Sequence, residues 1–145
     1  MSDHGVSMAL DAAQTRWIEL YAGYNAALYA NLEEAVAATI DGLGEDADTA
    51  TGSLTPLSRS SFDLDGLAAT RVVLRYRLKS SGKLMIYDST EALRDVIPQQ
   101  TEPSHTYAIS LTTSPEHYTE DRATLEQVLA SWRQAPNEDS PPASP

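Results

Sequence analysis

The stretch FDLDGLAATRVVLRYRLKSSGKLMIYD, residues 62–88, decides how the rest of the chain is interpreted. Side chains alternate between two sets from Arg71 to Leu78, and a period of two places alternate side chains on opposite faces of a β-strand. The polar run 79–83 contains Gly82, which suits a turn that needs a positive φ, and the apolar run 84–87 follows it. The stretch therefore predicts an antiparallel β-hairpin.

Residues after the hairpin predict more sheet and a closing helix. Asp88 to Glu91 has the spacing of a capping box, which favours a short helix over 89–97, with a continued strand as the alternative. Period-two alternation predicts a strand over 105–112. Helical spacing then predicts an amphipathic helix over 119–133, with its apolar side made by Leu125, Val128, Leu129 and Trp132.

Residues before the hairpin carry helical spacing. Between Leu10 and Leu43 apolar residues recur every three or four positions, and alanine, the best helix former, is abundant. One unbroken helix would be about 50 Å long, so we favour a break near Gly23 and Asn25. The acidic run 44–61 is predicted to be a connector, and a short strand over 62–67 leads into the Asp65–Gly66 turn.

The predicted architecture is a single α+β domain over residues 8–133. It consists of an N-terminal helical region (8–43), an antiparallel sheet of three to five strands within 62–112, and a C-terminal helix (119–133) packed on the sheet. Residues 1–7 are expected to be a disordered lead-in. Residues 134–145, rich in proline and serine, are expected to be a disordered tail.

Composition excludes several classes of function. The 145 residues contain no cysteine, so disulfides, thiolate metal sites and a cysteine nucleophile are excluded. The formal net charge of −11 argues against nucleic acid as a partner, because phosphate binding requires Lys and Arg. No window approaches the ~18 apolar residues of a membrane span. The first residues lack a signal-peptide pattern, which predicts a cytoplasmic location, and a signal peptide already removed stays an open alternative.

No residue set predicts catalysis, a cofactor or a metal. The histidines at positions 4, 105 and 117 lack the spacing of metal ligands, and no phosphate-binding glycine loop or nucleophile elbow is present. Two groups are candidate surfaces. An aromatic group is either core or a partner surface, and a basic stripe is either a set of anion contacts or a solvated face paired with acids. The first is Trp17, Tyr21, Tyr24 and Leu28, and the second is Arg71, Arg75 and Arg77.

From Phe62 onward the chain resembles Mog1/PsbP-like domains, the superfamily that includes LpqN-type lipoproteins and DUF1795 proteins. The resemblance rests on Leu64–Arg71 entering a strand, the hairpin to Tyr87, the strand Thr106–Thr112 and the ending Glu126–Arg133. Such domains usually begin with strands, whereas this chain is predicted to begin with helix. The resemblance implies a binding or accessory protein without catalytic residues, and some DUF1795 members act as chaperones for secreted effectors.

The leading functional prediction is a non-enzymatic, acidic binding or adaptor protein, such as an effector chaperone or assembly factor, with an unidentified protein partner. The alternative is a small-ligand enzyme whose pocket lies over the sheet with Tyr76 or Arg75 inside it. If the helix is unbroken, the long apolar stripe over 10–43 also predicts a homodimer through Trp17, Tyr21, Tyr24 and Leu28, because one small sheet cannot cover it, whereas a break at Gly23 removes the surplus.

Overall fold

Six strands form one open antiparallel sheet in a computed structural model that describes residues 4–24, 29–94 and 105–133. Within those residues the sheet order is β1-β2-β6-β5-β4-β3, and each neighbouring pair is antiparallel. The strands are β1 (His4–Ala9), β2 (Trp17–Tyr24), β3 (Thr55–Leu64), β4 (Leu67–Arg77), β5 (Leu84–Arg94) and β6 (His105–Thr113). The helices are α1 (Leu32–Glu45) and α2 (Tyr118–Ser131), and a 3-10 turn at Pro115–His117 precedes α2.

The predicted hairpin is confirmed and is the centre of a larger meander. β4 pairs with β5 so that Arg77 lies opposite Leu84, and Gly82 in the turn has a φ of +72°. β3 and β4 are joined by a two-residue turn in which Asp65 and Gly66 both have positive φ, the requirement of a type I′ turn. The strand predicted over 105–112 and the C-terminal helix are also present, as β6 and α2.

The predicted N-terminal helical region and the limit of five strands are wrong. Residues 4–24 form two strands, and helix begins only at Leu32. The described part of the chain therefore begins with strands. β2 lies between β1 and β6, with Ile18 fully buried, and its period of two was obscured by apolar residues on both faces. Asp11 lies in the loop between β1 and β2, where its carboxylate accepts a hydrogen bond from the Thr15 amide at 2.8 Å.

The single N-terminal helix has a clear local start. Asn31 precedes its first turn in an extended conformation, and its Oδ1 accepts a hydrogen bond from the Glu34 amide at 3.0 Å. The Glu34 carboxylate in turn accepts from the Ala30 amide at 2.7 Å. These two bonds satisfy backbone donors at the helix start. With only 14 residues in the helix, the 50 Å apolar stripe from which the homodimer was predicted does not exist.

Two further predictions of local structure are corrected. The residues expected to begin a short helix at position 89 continue β5 as far as Arg94, because side chains of this strand are buried on both faces of the sheet. The expected connector over 44–61 contains most of β3, which begins at Thr55. Positions 1–3, 25–28, 95–104 and 134–145 lie outside the described residues, and with them the first three residues of the expected lead-in, the predicted helix break at Asn25 and the tail. The other lead-in residues, 4–7, lie in β1.

The two helices lie on opposite faces of the sheet. Thr39 of α1 bonds to Glu91 of β5, whereas Tyr118 of α2 bonds to Asp88 of the same strand. Odd and even residues of a strand point to opposite faces, so we name these the α1 face and the α2 face. The main apolar core lies between the α2 face and α2. It is formed by Ile18, Leu64, Ala69, Ala92, Ile109, Leu111, Leu125 and Leu129.

Candidate functional site

Within the described residues, the outer margin of β1 is an open sheet edge. β1 pairs with β2 on one side, and no described strand pairs with the other. Its register with β2 runs without a bulge from His4 to Ala9, and all residues from Gly5 to Ala9 are exposed. That run contains neither proline nor a charged side chain. A regular edge of this kind offers free amides and carbonyls to an added strand.

The opposite margin, β3, is guarded. It carries Pro56, which cannot donate a backbone hydrogen bond, and its pairing with β4 shifts register between Pro56 and Ser58. Arg59 also projects from it and forms an ion pair with Glu33 of α1 at 2.7 Å. Prolines, bulges and charges are the devices by which sheet edges avoid pairing with other chains. Of the two edge strands, β1 is therefore the one that can pair with an added strand.

An apolar strip follows the β1 edge on the α2 face. Val6 and Met8 are 64% and 41% exposed, and they pair by register with Leu20 and Ile18 of β2. Ile18 is fully buried and Leu20 half-buried, so the strip continues the hydrophobic core outward to the margin. A strand added beside β1 would cover it with its own apolar side chains.

A row of larger side chains follows the same edge on the α1 face. The β1 residues on this face are Gly5, Ser7 and Ala9, and their small side chains leave the facing residues of β2 accessible. Those residues form the acidic–aromatic row: Trp17, Glu19 and Tyr21, with the Trp17 indole donating to the Glu19 carboxylate at 2.8 Å. A carboxylate between aromatic rings suits a guanidinium or ammonium group.

The residues predicted as a partner surface are only partly brought together. Trp17 and Tyr21 lie on β2 in the acidic–aromatic row, where Trp17 is half-buried and Tyr21 is 38% exposed. Tyr24 is the last residue of β2, and Leu28 lies outside the described residues. The helical face that was expected to group the four does not exist. Glu19, which was not among the predicted residues, lies between Trp17 and Tyr21 instead.

The three arginines of the predicted anion site share the α2 face but differ in surroundings. Arg75 and Arg77 are exposed, and the Arg77 guanidinium donates to the Gly82 carbonyl. Arg71 is largely buried and binds the fully buried Asp88 through two hydrogen bonds of 2.8 Å. Its guanidinium fork is therefore already committed to a carboxylate. The anion-contact hypothesis stays a prediction for the exposed pair.

The Arg71–Asp88 pair forms part of a buried polar network under α2. The Tyr118 hydroxyl donates to Asp88 at 2.8 Å, and burial together with this bond raises the pKa of Tyr118 to about 12. Hydrogen bonding to Asp88 raises the pKa of Arg71 above its usual value. A cavity of about 110 Å³ beside the pair is lined by Ser58, Ser60 and Arg122 as well. This network anchors α2 to the sheet, which is a structural role.

A larger cavity of about 490 Å³ lies at the end of the sheet where β4 and β6 end. Tyr76, Trp17, Ser114 and His117 line it, whereas Arg75 lies on the opposite face. Burial raises the pKa of Tyr76 to about 12, so its hydroxyl stays protonated and can donate but not act as a base. Of the two residues predicted for a pocket, the structure thus places Tyr76 at one and Arg75 away from it.

The central strand β5 also buries a carboxyl group that has no ionic partner among the described residues. Glu91 is 7% exposed and faces α1, where the Thr39 hydroxyl donates to its Oε1 at 2.6 Å. Burial raises the pKa of Glu91 to about 7. Glu91 was not predicted as a site residue, because the sequence analysis assigned it to a helix cap. The signal that could have identified it is an acidic residue at an inward-facing position of an apolar strand.

The described residues offer neither a metal site nor a membrane helix. No group of three or more His, Asp or Glu residues in 4–24, 29–94 and 105–133 could hold a metal ion. Within the same residues, neither α1 nor α2 is long and apolar enough to cross a bilayer.

The sheet order and the two flanking helices define a PsbP-like fold. The solution structure of the cyanobacterial PsbP protein CyanoP from Synechocystis sp. PCC 6803 is 7% identical, with a TM-score of 0.55 over 88% of this chain and 79% of that chain. PA94 from Pseudomonas aeruginosa, described as a protein of unknown function, is 14% identical, with a TM-score of 0.63 over 93% of this chain and 84% of that chain. No protein-family model and no curated protein sequence matches the chain. At these identities the likeness shows the fold alone.

Proposed function

We propose that this protein is a non-enzymatic binding protein that holds an extended, basic segment of a partner protein along the β1 edge. The observation that carries the proposal is the asymmetry of the two sheet margins. β3 is guarded by Pro56, a bulge and Arg59, while β1 from Gly5 to Ala9 is regular, uncharged and exposed. Addition of a strand to such an edge is a recurring mode of peptide recognition.

The side chains beside the edge favour a particular kind of segment. On the α2 face, Val6 and Met8 call for apolar residues at alternate positions. On the α1 face, the acidic–aromatic row calls for Arg or Lys at the positions between them. The net charge of −11 attracts such a segment from a distance and speeds its association. The preferred ligand is therefore an alternating apolar and basic strand.

A chaperone or assembly factor is the biological role that fits this mode of binding. A basic segment with alternate apolar residues is prone to pair with other strands, and an edge that holds it prevents this. The resemblance to DUF1795-type domains, some of which act as effector chaperones, supports the same proposal. Tyr76, which lines the 490 Å³ cavity, is held protonated and therefore is not a general base there.

A second copy of the chain is the competing occupant of the edge. Two β1 edges related by a two-fold axis would join two sheets into one. Each copy would then bring a net charge of −11 toward the other, and no basic residue follows Gly5 within β1 to offset it. The charge distribution therefore favours a basic partner over self-association.

The test uses fluorescein-labelled nine-residue peptides and fluorescence anisotropy. One peptide alternates valine with arginine, and its partner alternates valine with glutamate. We expect the arginine peptide to bind at least about tenfold more tightly, which corresponds to ~1.4 kcal/mol. We also expect bound peptide to slow hydrogen exchange of β1 amides. Equal affinity for the two peptides, or protection confined to another strand, would contradict the proposal.

Matched variants separate the two margins of the sheet. Val6→Lys places a charge on the β1 edge, and Leu57→Lys places the same charge on β3, where Leu57 is 47% exposed. We expect Val6→Lys to weaken binding of the arginine peptide about tenfold and Leu57→Lys to change it less than about twofold. Sedimentation equilibrium provides the remaining control. A dimer that Val6→Lys dissociates would assign the edge to a second copy and refute the partner-segment proposal.

A further inference from the structure

The Glu91 carboxyl has one oxygen that the protein leaves unbonded. Its Oε1 accepts from the Thr39 hydroxyl at 2.6 Å, but its Oε2 has no hydrogen-bond partner among the described residues. The residue is 7% exposed, so this oxygen is shielded from bulk water. A buried carboxyl oxygen without a bond is costly, and such groups in native proteins require an explanation.

No lysine or arginine side chain forms an ion pair with this carboxyl. No ion pair among the described residues involves Glu91, and Arg71 and Arg16 pair with other acids, Asp88 and Asp121. Every Lys and Arg of the sequence lies within 4–24, 29–94 and 105–133, so the remaining segments add no such side chain. A cation at this carboxyl is therefore not a Lys or Arg side chain of the protein.

A cavity lies directly beside Glu91. Its volume is about 210 Å³, and Tyr21, Tyr29, Thr39 and Leu93 are among the residues that line it. At about 30 Å³ per water molecule, the space could hold roughly seven waters, or a small organic molecule of similar size. Its walls combine aromatic and aliphatic carbon with one carboxyl group, which is the composition of a small-molecule site.

We propose that this cavity binds a small primary ammonium compound, whose nitrogen donates a hydrogen bond to the Glu91 carboxyl while its carbon chain lies against Tyr21 and Tyr29. The carboxylate supplies the charge and the acceptor, and the aromatic rings supply faces that attract cations. The site lies on the α1 face under α1 and is centred on Glu91 of β5, although it shares Tyr21 with the acidic–aromatic row. The inference does not depend on the function proposed for the β1 edge.

The protonation of Glu91 couples this binding to pH. The carboxyl has a pKa of about 7 because burial disfavours its charged form. The other groups that face it are the phenols of Tyr21 and Tyr29 and, within β5, of Tyr87, while α1 contributes the uncharged Ala35 and Thr39. An ammonium ion favours the ionised carboxylate, so binding to the neutral form releases one proton. Affinity should therefore fall as the pH drops below about 7.

The test is a titration of protein carrying ¹³C-labelled glutamate with n-propylammonium chloride at pH 8, followed by NMR. We expect one side-chain carboxyl resonance to shift saturably and to be absent in Glu91→Gln. n-Propanol, the neutral analogue, should leave it unchanged at the same concentration. Tetramethylammonium, a cation that lacks N–H donors, should bind at least about tenfold more weakly. Glu45→Gln, an exposed acid of α1, is the matched control and should bind like the wild type.

A pH series on the wild-type protein tests the proposal without any variant. n-Propylammonium stays protonated from pH 5.5 to 8, so only the protein changes its charge. We expect the affinity to fall on the order of 30-fold between pH 8 and pH 5.5, about tenfold for each unit below the pKa of Glu91. Absence of a saturable shift, a constant affinity across this range, or binding that survives in Glu91→Gln would each overturn the proposal.

Discussion

The buried carboxyl of Glu91 makes a quantitative prediction about stability. In the unfolded chain its pKa returns to the ordinary value of 4.5, whereas in the folded protein it is about 7. Between these values the folded state holds a proton that the unfolded state has released, so the free energy of unfolding falls as pH rises. At 1.36 kcal/mol for each pH unit, the ionised carboxyl costs the folded protein about 3 kcal/mol above pH 7.

Glu91→Gln removes this titration and retains an oxygen that accepts from Thr39. Urea unfolding at pH 5, 6, 7 and 8, followed by tryptophan fluorescence, gives the free energy for both proteins. We expect the free energy of unfolding of Glu91→Gln, relative to that of the wild type, to increase by up to about 3 kcal/mol from pH 5 to pH 8. Glu45→Gln, an exposed control, should show no such trend. Parallel curves for wild type and Glu91→Gln would refute the buried, unpaired carboxyl.

Three further predictions concern the packing of α2 and the turns. Asp88→Asn should lower the free energy of unfolding by ~3–5 kcal/mol, because Arg71 then stays buried without its counter-charge, and a loss below ~1 kcal/mol in urea would contradict this. Tyr118→Phe removes only one donor to Asp88 and should cost ~1 kcal/mol in the same assay. Gly82→Ala, at a φ of +72°, should destabilise the protein by ~1 kcal/mol and lower the thermal midpoint. Gly42→Ala adds a methyl group to α1 with no atom within 4 Å and should stabilise the protein by up to ~1 kcal/mol. Changes of equal sign for the two variants would contradict the backbone conformations of both glycines.

The hairpin, β6 and α2 could be predicted because their signals are local. Gly82 and the Asp65–Gly66 pair fix turns through their own backbone conformations, and alternation along β4 fixes which face is buried. β2 lacked such a signal. Trp17, Leu20 and Tyr21 fit a helical period as well as a strand, and only its position between β1 and β6 selects the strand.

The candidate sites depended on contacts that no local pattern reveals. Arg71 was visible as part of a basic stripe, but its partner Asp88 was assigned to a helix cap. Glu91 acquires its character only when Thr39 of a distant helix covers it. The β1 edge could be identified only from the sheet order, because an edge strand is one whose outer side has no neighbouring strand. Tyr76 lines a cavity on the α1 face, and its part in a ligand-binding pocket stays a prediction.

The position of β6 between β2 and β5 has a consequence for synthesis of the protein. Trp17 pairs with Thr112, so the N-terminal hairpin finds its neighbour only after almost all the described chain has been made. At a synthesis rate of about 5–20 residues per second, Ile18 and Leu20 stay exposed to solvent for several seconds before β6 has been made. β3, β4 and β5 pair with their sequence neighbours and need no such delay. We expect stopped-flow refolding to show late protection of β1 and β2, since docking them closes the longest loop in the sheet.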